Sequence, residues 1–433
     1  MRSHASFPLE PEDALDLLAA LEHEVGADVF LAPKGPERLP GFMAGVAPDA
    51  ELEATAATGP GELAAFAFAD ERPTMGWLGY EWGLSRLGVA ATKPRVLPLG
   101  VLRKYGLTLA YDPHARRLDL LHPGEPDPVL AGQVAGLAAI GARPQPPRAP
   151  VRFAGPVDHS LDLAAFERGV ESVLEHIRAG DTYQLNLSIE FSAATRGCDP
   201  FGLWRLLFRR HPAAHYAFFR SKRHTLLSTS PERFLRVRDG EVLSQPIKGT
   251  LKSARTPAPQ ALVDTLRTSA KEDAELSMIV DLVRNDISGA CDYGSVRVPV
   301  HKTVFQVDDL LQMHSDVTGR LRQDRHVFDL LAGAFPPGSV TGCPKKRSLE
   351  IIDRLEPHAR EIYCGAFLMI LGPRDMDSCV AIRTARHEDM GRGEGRLVFH
   401  AGSGIVIDSS PAREYQETLA KAAKFLRLVE ELP

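Results

Sequence analysis

The segment SPERFLRVRDGEVLSQPIKGT, residues 230–250, carries the clearest structural signal of the chain. Two runs of alternating apolar and polar residues, 233–238 and 241–247, flank the dipeptide Asp239-Gly240. Alternation with a period of two predicts half-buried strands, and Asp-Gly between two such runs is typical of a tight turn. We therefore predict an antiparallel β-hairpin at this place.

The regions around this hairpin show the same clustering of like elements. Further strands are predicted at residues 183–191, 216–220 and 224–227, and another hairpin at 107–121 around Asp112-Pro113-His114. Helical spacing of apolar residues predicts helices at 129–140, 166–177, 261–270, 273–283, after Pro344, and at 413–431. Strands and helices thus come in groups rather than in strict alternation. This favours an α/β protein of the α+β type, with antiparallel sheets, over a doubly wound parallel sheet.

Composition excludes several classes of protein. The 433 residues are 44% hydrophobic and 25% charged, as in an ordinary soluble globular protein. The net charge of −5 argues against a nucleic-acid-binding protein, which needs a basic face. The longest apolar run, 362–371, is half a membrane span, and the acidic N-terminus does not fit a signal peptide. Five scattered cysteines without a CxxC pair fit a reducing compartment, so a cytoplasmic location is expected.

A proline-rich stretch, RPQPPRAP at residues 143–150, marks the best candidate linker. Proline cannot continue a helix or a central strand, so this stretch can separate two regions. A long proline-rich surface loop within one domain is an equally good interpretation. The predicted organisation is an N-terminal region at 1–142, a connection at 143–160 and a catalytic region at 161–433.

Glu232 and Lys248 lie on either side of the Asp-Gly turn, sixteen residues apart. A three-residue loop with a glycine bulge would place both side chains on one face, whereas a two-residue turn would place them on opposite faces. On one face, a carboxylic acid and an amine could act as general acid and nucleophile. If Glu232 is such an acid, burial should raise its pKa. From the hairpin alone, a simple salt bridge is the more common outcome.

Two predicted helices carry carboxylates that could hold a metal ion. Glu275 lies on the helix near 273–283, and Glu417 lies on the C-terminal helix. Carboxylates from separate helices, completed by water and substrate oxygens, suit Mg²⁺. Pairing of Glu417 with Lys421 along one helix is the ordinary alternative.

Two glycine-rich segments and one arginine could bind an anion. PPGSVTGCPKK places Ser339, Thr341 and Gly342 just before a helix, whose free N–H groups favour a carboxylate. HAGSGIVIDSS places Gly402 and Gly404 after a predicted strand, where backbone could approach a ligand closely. Arg383 ends an apolar strand, and its guanidinium should meet a carboxylate of the protein or of a ligand.

Taken in order, these segments closely resemble the chorismate-utilising enzymes, and among them component I of the aminodeoxychorismate synthases. The matching segments are GDTYQLNLSIEF (180–191), SPERF (230–234), PIKGT (246–250), AELSMIVDLVRND (274–286), QMHSDVTG (312–319), PPGSVTGCPKKRSLEII (336–352), IYCGAF (362–367), MDSCVAIRT (376–384) and AGSGIVIDSSPAREYQETLAKA (401–422). The resemblance implies one large unit in which antiparallel sheets pack as a sandwich, with helices outside and the active site between the layers.

The resemblance also implies roles for individual residues. Glu232 looks like the general acid, Lys248 like a nucleophile, and His314 like a histidine beside the ring of the substrate. Glu275 and Glu417 look like the two carboxylates that hold Mg²⁺. The remaining residues look like contacts to chorismate or lining of its pocket: Gln184, Ser339, Thr341, Gly342, Tyr363, Arg383, Gly402, Ser403, Gly404 and Lys421.

Two positions discriminate among members of the resembled family. Lys248 stands where anthranilate synthases have alanine, which favours amination of chorismate at C4 for 4-aminobenzoate and folate synthesis. Gln184 stands where isochorismate and salicylate synthases have a water-activating lysine, so hydroxylation at C2 is disfavoured. Ammonia is expected from a separate glutamine amidotransferase subunit. The alternatives are anthranilate synthase component I and a non-catalytic chorismate-binding or scaffolding protein.

Overall fold

The computed structural model describes residues 2–31, 41–139, 151–211, 213–253, 257–307 and 310–432. The strands are β1 Arg2–Pro8, β2 Ala27–Leu31, β3 Phe42–Ala54, β4 Thr74–Leu78, β5 Gly100–Asp112, β6 Arg117–His122, β7 Arg152–His159, β8 Gln184–Arg196, β9 His215–Ser221, β10 His224–Ser230, β11 Arg233–Arg238, β12 Glu241–Ser244, β13 Ile247–Lys252, β14 Arg297–Val307, β15 Leu310–Arg320, β16 Gly342–Cys343, β17 Ala366–Gly372, β18 Asp375–Val380, β19 Thr384–Gly391 and β20 Glu394–Ile405. The helices are α1 Pro11–Val25, α2 Pro60–Ala67, α3 Tyr80–Arg86, α4 Pro128–Ala139, α5 Leu163–Arg178, α6 Pro200–Arg210, α7 Gln260–Thr268, α8 Ala270–Ser288, α9 Val327–Ala334, α10 Lys345–Leu355 and α11 Pro411–Glu431, with a short 3₁₀ turn at Gly338–Val340.

The 20 strands are hydrogen-bonded into a single network, and every pairing between described strands is antiparallel. Strands of the N-terminal region pair with strands from much later in the chain, β2 with β9 and β4 with β17. The two regions therefore share one sheet. The predicted fold class, large antiparallel sheets with outer helices, is confirmed.

The hairpin at Asp239-Gly240 forms with a two-residue turn. Arg238 pairs directly with Glu241, and both turn residues have positive φ, 50° at Asp239 and 83° at Gly240. Two positive φ values define the type I′ turn, whose twist matches that of the flanking strands. β12 and the first two residues of β13 then pair in one register with β15, so the hairpin lies inside the main sheet.

Two amphipathic helices, α5 and α11, pack against the strands that carry the candidate site. α5 begins at its N-cap Asp162, whose Oδ1 accepts a 2.7 Å hydrogen bond from Ala165 N. α11 begins with Pro411, a residue that suits the first helical turn, and contacts β20 along its buried face. Because one face of α11 is buried on β20, the polar residues on that face are held against the sheet.

Several other predictions from the sequence can be placed on the structure. The hairpin of β5 and β6 and the helix α4 are confirmed, and all five cysteines are free. None of the helices in the described ranges combines the length and apolar composition needed to cross a membrane. The proline-rich residues 143–150 lie outside the described residues. Within the predicted connection at 143–160, Arg152–His159 form β7, which pairs with β8.

Candidate active site

The carboxyl group of Glu232 is buried immediately before β11. The residue is 6% exposed, and its Oε1 accepts a 2.7 Å hydrogen bond from Ser339 Oγ. Burial raises the pKa of this carboxyl to about 7, although Ser339, Lys248 and Lys421 act in the opposite direction. The predicted direction of this pKa shift is therefore confirmed. A carboxyl that keeps its proton near neutral pH can serve as a general acid.

Lys248 lies on β13 directly before a bulge. It faces Met313 on β15, the register shifts before Thr250, and Gly249 between them has φ 70°. Its Nζ lies 3.5 Å from the position that a Cβ on Gly404 would occupy. This distance is an ordinary van der Waals contact, so it places the lysine amine against β20 without requiring glycine there.

Glu232 and Lys248 lie near each other, but not through direct pairing across the hairpin as the sequence suggested. The two-residue turn would place them on opposite faces of a regular hairpin, but the ladder of β11 and β12 ends before reaching either residue. The charge of Lys248 nevertheless acts on the pKa of Glu232. The charged atoms of these two residues, both described by the structure, do not form an ion pair within 4.0 Å. The salt-bridge alternative is therefore wrong for this pair.

A row of buried polar atoms without partners follows β8 and β20. Within the described residues, Gln184 Oε1, Asn186 Oδ1 and Ser403 Oγ have no hydrogen-bond partner. Buried polar groups are nearly always hydrogen-bonded, so unpartnered ones close together indicate where a polar ligand binds. The sequence named Gln184 and Ser403 as ligand contacts and missed Asn186.

Gly402 and Gly404 lie within β20, not after a strand as the sequence indicated. A Cβ on Gly402 would come within 2.6 Å of Asn186 Oδ1, and one on Gly404 within 2.9 Å of Gln184 Nε2. Both contacts are closer than real Cβ atoms permit. The two glycines therefore provide space for side-chain amides of the neighbouring strand.

The segment with Ser339, Thr341 and Gly342 lies along β8 and forms one side of the candidate site. Thr341 O accepts a 2.8 Å hydrogen bond from Asn186 N, and Gly342 pairs with Leu185. Both hydroxyls of the segment already have protein partners, since Ser339 donates to Glu232 and Thr341 donates to Pro337 O at 3.0 Å. The segment therefore positions the Glu232 carboxyl and forms one side of the candidate site.

Arg383 occupies the turn between β18 and β19, with φ 52°. Burial lowers the pKa of its guanidinium, and Tyr363 acts in the opposite direction. Within the described ranges, no carboxylate lies at ion-pair distance from this guanidinium. Sequence reasoning required a carboxylate of the protein or of a ligand. A ligand carboxylate fits beside this guanidinium, and the assignment stays a prediction.

Two lysines one turn apart on α11 add positive charge to the same place. Lys421 Nζ lies 2.8 Å from Glu417 Oε1 and donates to Gly402 O at 3.0 Å. Lys424 donates to Thr229 O at 3.3 Å and to Thr229 Oγ1. Desolvation lowers the pKa of both lysines, and the charge of Arg383 lowers both further. This cluster of cations favours a ligand with more than one negative charge.

Tyr363 is buried between aromatic and cationic groups. Its ring stacks on that of His400, with centroids 5.3 Å apart and planes 11° from parallel. The guanidinium of Arg360 lies 5.7 Å from the ring centroid. Burial raises the pKa of Tyr363 well above its usual value, so the phenol stays neutral and can donate a hydrogen bond.

Glu275 and Glu417 provide oxygen donors on two helices. Glu275 is half-buried on α8, and the side chain of Glu417 is 52% exposed on α11. Among the described residues, no group of three His, Cys, Asp or Glu side chains could hold a metal ion alone. Carboxylates are the donors that Mg²⁺ prefers, and an ion held by these two would take its other ligands from substrate and water. The donor chemistry fits, and the assignment stays a prediction.

The described contacts of His314 are to residues outside the predicted site. It pairs with Ile247 on β13, and neighbouring residues of a strand point to opposite faces, so its side chain leaves the sheet on the side away from Lys248. Its Nε2 lies 3.4 Å from Asp316 Oδ1, and its ring packs edge-on against Phe305. Its role beside the substrate stays a prediction.

The sequence missed two residues for which it held a signal. Asn186 lies two residues after Gln184 in an alternating strand, which places both amides on one face. Lys424 is half-buried on α11, and its Nζ lies 5.2 Å from the ring centroid of the buried Phe425. A lysine partly withdrawn from water calls for a functional explanation.

Comparison with known proteins identifies the family of the chain. A family model described as chorismate binding enzyme matches residues 36–427. The chain is 36% identical over 362 residues to aminodeoxychorismate synthase component 1 of Klebsiella aerogenes, which covers 82% of this chain and 77% of that protein. It is 35% identical over 344 residues to anthranilate synthase component 1 of Geobacillus stearothermophilus, which covers 74% of this chain and 66% of that protein. The solved structure of anthranilate synthase component I from Streptococcus pneumoniae TIGR4 matches with a TM-score of 0.77 and 25% identity, over 92% of this chain and 94% of that one.

Proposed function

This chain belongs to the chorismate-binding enzyme family, and we propose that within it the protein converts chorismate and ammonia to 4-amino-4-deoxychorismate. The observation that carries this proposal is the lysine at position 248 beside a buried acid. Glu232 keeps a proton near neutral pH because its pKa is about 7, and Lys248 is close enough to act on that pKa. Relatives named for two different aminations match the chain at similar identity, so the choice between them rests on Lys248.

The pocket has the charge that chorismate requires. Chorismate carries two carboxylates, and the cations Arg383, Lys421 and Lys424 include only one, Lys421, with a carboxylate partner among the described residues. The unpartnered oxygens of Gln184 and Asn186 can accept hydrogen bonds, and Ser403 Oγ can give or accept one. A dianion with hydroxyl and ether oxygens matches this arrangement.

In the proposed first step, Lys248 Nζ bonds to C2 of the ring and the two ring double bonds each shift by one position. The bond from C4 to its hydroxyl breaks, and the hydroxyl leaves as water with the proton of Glu232. In the second step ammonia bonds to C4, the double bonds shift back and Lys248 leaves C2 as a neutral amine. The new C4 ammonium then returns one proton to the Glu232 carboxylate. Two displacements of this kind return nitrogen to C4, whereas one would leave it at C2.

Mg²⁺ is proposed as the cofactor, held by Glu275 and Glu417. When bound, it would neutralise the repulsion between these carboxylates and a carboxylate of the substrate. The ammonium of Lys421 forms an ion pair with one oxygen of Glu417 and also donates to Gly402 O. Lys421 thereby links the Glu417 side chain of α11 to β20. Ammonia is proposed to come from a separate glutamine amidotransferase subunit, and the cytoplasm stays the predicted location.

The test is product analysis with pure protein, chorismate, Mg²⁺ and an ammonium salt. We expect 4-amino-4-deoxychorismate, identified by mass and chromatography. Lys248→Ala should slow its formation on the order of 10³-fold, the scale at which loss of a positioned catalytic group acts. Lys222→Ala is the matched control, because that lysine is 70% exposed and paired with Glu53. Its rate should be unchanged.

Four other outcomes would overturn parts of the proposal. Anthranilate from the unaltered chain would identify the alternative amination, and binding of chorismate without turnover would identify a non-catalytic protein. A Lys248→Ala variant as fast as the unaltered chain would remove the covalent step. Full activity in excess chelator would contradict the role of Mg²⁺.

A further inference from the structure

Lys424 is a cation that the proposed reaction does not use. Its described hydrogen bonds go to the carbonyl oxygen of Thr229, at 3.3 Å, and to the hydroxyl of the same residue. No carboxylate among the described residues lies at ion-pair distance from its ammonium. Desolvation, and after it the charge of Arg383, hold the pKa of Lys424 well below its ordinary value. An ammonium in such surroundings weakens the folded state unless something else compensates for it.

Thr229 connects this ammonium to the main chain of Arg383. Thr229 N donates to Arg383 O at 3.2 Å, and Thr229 Oγ1 donates to the same oxygen at 3.3 Å. A threonine hydroxyl has one proton, so it donates to Arg383 while it accepts from Lys424. The ammonium thus fixes the direction in which the hydroxyl points.

Arg383 needs such support because of its backbone conformation. Its φ of 52° lies in the left-handed region, which residues with a side chain adopt uncommonly and at an energetic cost. The residue sits in the short turn between β18 and β19, and its carbonyl is held by Thr229 from β10. Since the main chain of Arg383 is fixed in this way, the start of its side chain is fixed as well.

We propose that Lys424 is a positioning residue that acts through Thr229 to hold Arg383 in place for a carboxylate of the substrate. The inference takes its ligand, chorismate, from the proposed function, but it concerns binding and not the position that is aminated. Lys424 contributes to affinity through the geometry of Arg383 and through its own positive charge. Both contributions appear only when a dianion is bound.

The test compares Lys424→Met with Arg427→Met, a charge-removing change at an exposed position of the same helix. We expect Lys424→Met to raise both the Kd and the KM for chorismate about tenfold with kcat changed less than about twofold, since one charge-assisted contact is lost. Lys424→Arg should recover part of the affinity. Arg427→Met should leave Kd and KM unchanged.

A double-mutant cycle tests the connection through Thr229. Thr229→Val keeps the shape and removes the hydroxyl, and it should raise the Kd several-fold. The double variant Lys424→Met/Thr229→Val should be no worse than Lys424→Met alone, because both changes break one chain of contacts. Thr229→Ser, which keeps the hydroxyl, should bind chorismate nearly as well as the unaltered chain.

Thermal unfolding separates this role from a structural one. Lys424→Met should melt at the same temperature as the unaltered protein or higher, because an uncompensated charge is removed. A lower melting temperature with kcat and KM both impaired would show a structural lysine and overturn the proposal, as would an unchanged Kd or fully additive effects. If the unaltered chain binds chorismate and makes anthranilate, the proposed function fails and this inference stands. If it does not bind chorismate, both fail.

Discussion

Arg360 and Arg383 are two guanidinium groups near the same tyrosine, Tyr363. Arg360 is buried and Arg383 is half-buried, and their surroundings differ sharply. Arg360 is 1% exposed, and its nitrogens donate to both oxygens of Glu356 at 2.7 and 2.9 Å. It also donates to Val340 O at 3.0 Å and to Asn186 O at 2.7 Å. Its charge and its hydrogen-bond donors are compensated by the protein itself.

Arg383 has no such compensation among the described residues. Its neighbours on α11 are further cations, Lys421 and Lys424, and its own pKa is lowered by burial. A fully paired buried charge fixes the positions of the segments that it joins, here those of Val340 and Asn186. An unpaired one lowers stability and is maintained where a ligand completes it. The comparison thus separates a charge that serves the fold from one that serves binding.

The largest expected effect is on the fold. Arg360→Met would leave Glu356 buried without its cation, held by the hydrogen bonds of Ser188, and would remove a donor from Val340 O and from Asn186 O. We expect the free energy of unfolding, measured with denaturant, to fall by about 3–5 kcal/mol, as is usual when one partner of a buried pair is removed. Arg354→Met, at an exposed position of α10, is the control and should change it by less than about 0.5 kcal/mol. If Arg360→Met lowered the free energy of unfolding as little as the control does, Arg360 would not be a charge that serves the fold.

The next effect is on binding. Arg383→Met should leave the free energy of unfolding unchanged or higher, because it removes a charge that the protein does not pair. Its affinity for chorismate, measured by titration, should fall about 10- to 100-fold, the range for a lost hydrogen bond between charged groups. Arg383→Lys should keep part of the affinity. If Arg383→Met unfolds as readily as Arg360→Met, the two arginines do not differ in role.

The sequence predicted the fold well because periodic patterns report on local structure. The alternation around Asp239-Gly240 and the helical spacing of Phe166, Val170 and Val173 gave elements that the structure contains. The pairings β2 with β9 and β4 with β17 were not predicted from the patterns, because strand order depends on contacts between residues far apart in the chain. The length of β20 was also misjudged. Gly402 and Gly404 suggested a loop, whereas the close approach of Gln184 and Asn186 explains both glycines within a strand.

The site was predictable only in its residue types. The sequence identified Arg383 as a cation in need of a carboxylate, and the structure showed that no described residue provides one. It could not decide how Glu232 and Lys248 meet, because both lie just beyond the regular ladder whose register it used. Lys424 was overlooked because the motif that carries the resemblance ends before it. Its importance depends on Thr229, nearly two hundred residues earlier.

The smallest expected effect concerns Glu232, which is the acidic counterpart of Arg383. It is buried with Ser339 as its hydrogen-bond partner, and burial raises its pKa from 4.5 to about 7. Between these values the unfolded chain releases the proton of Glu232 while the folded chain keeps it. Rising pH therefore favours unfolding from about pH 4.5 to about pH 7. Below this window both states are protonated, and above it both are ionised, so the penalty is absent at low pH and constant at high pH.

Glu232→Gln removes this titration and keeps an oxygen that can accept from Ser339. We expect the variant to melt a few °C above the unaltered protein at pH 8 and to show no such gain near pH 4. Scanning calorimetry of both proteins across this range measures the difference. Glu241→Gln, at a side chain that is 63% exposed, should show no comparable pH dependence. A gain for Glu232→Gln that is equal at all pH values would mean that this carboxyl has the same pKa in the folded and the unfolded chain. Glu232 would then be ionised at neutral pH, and it could not supply the proton that the departing hydroxyl requires.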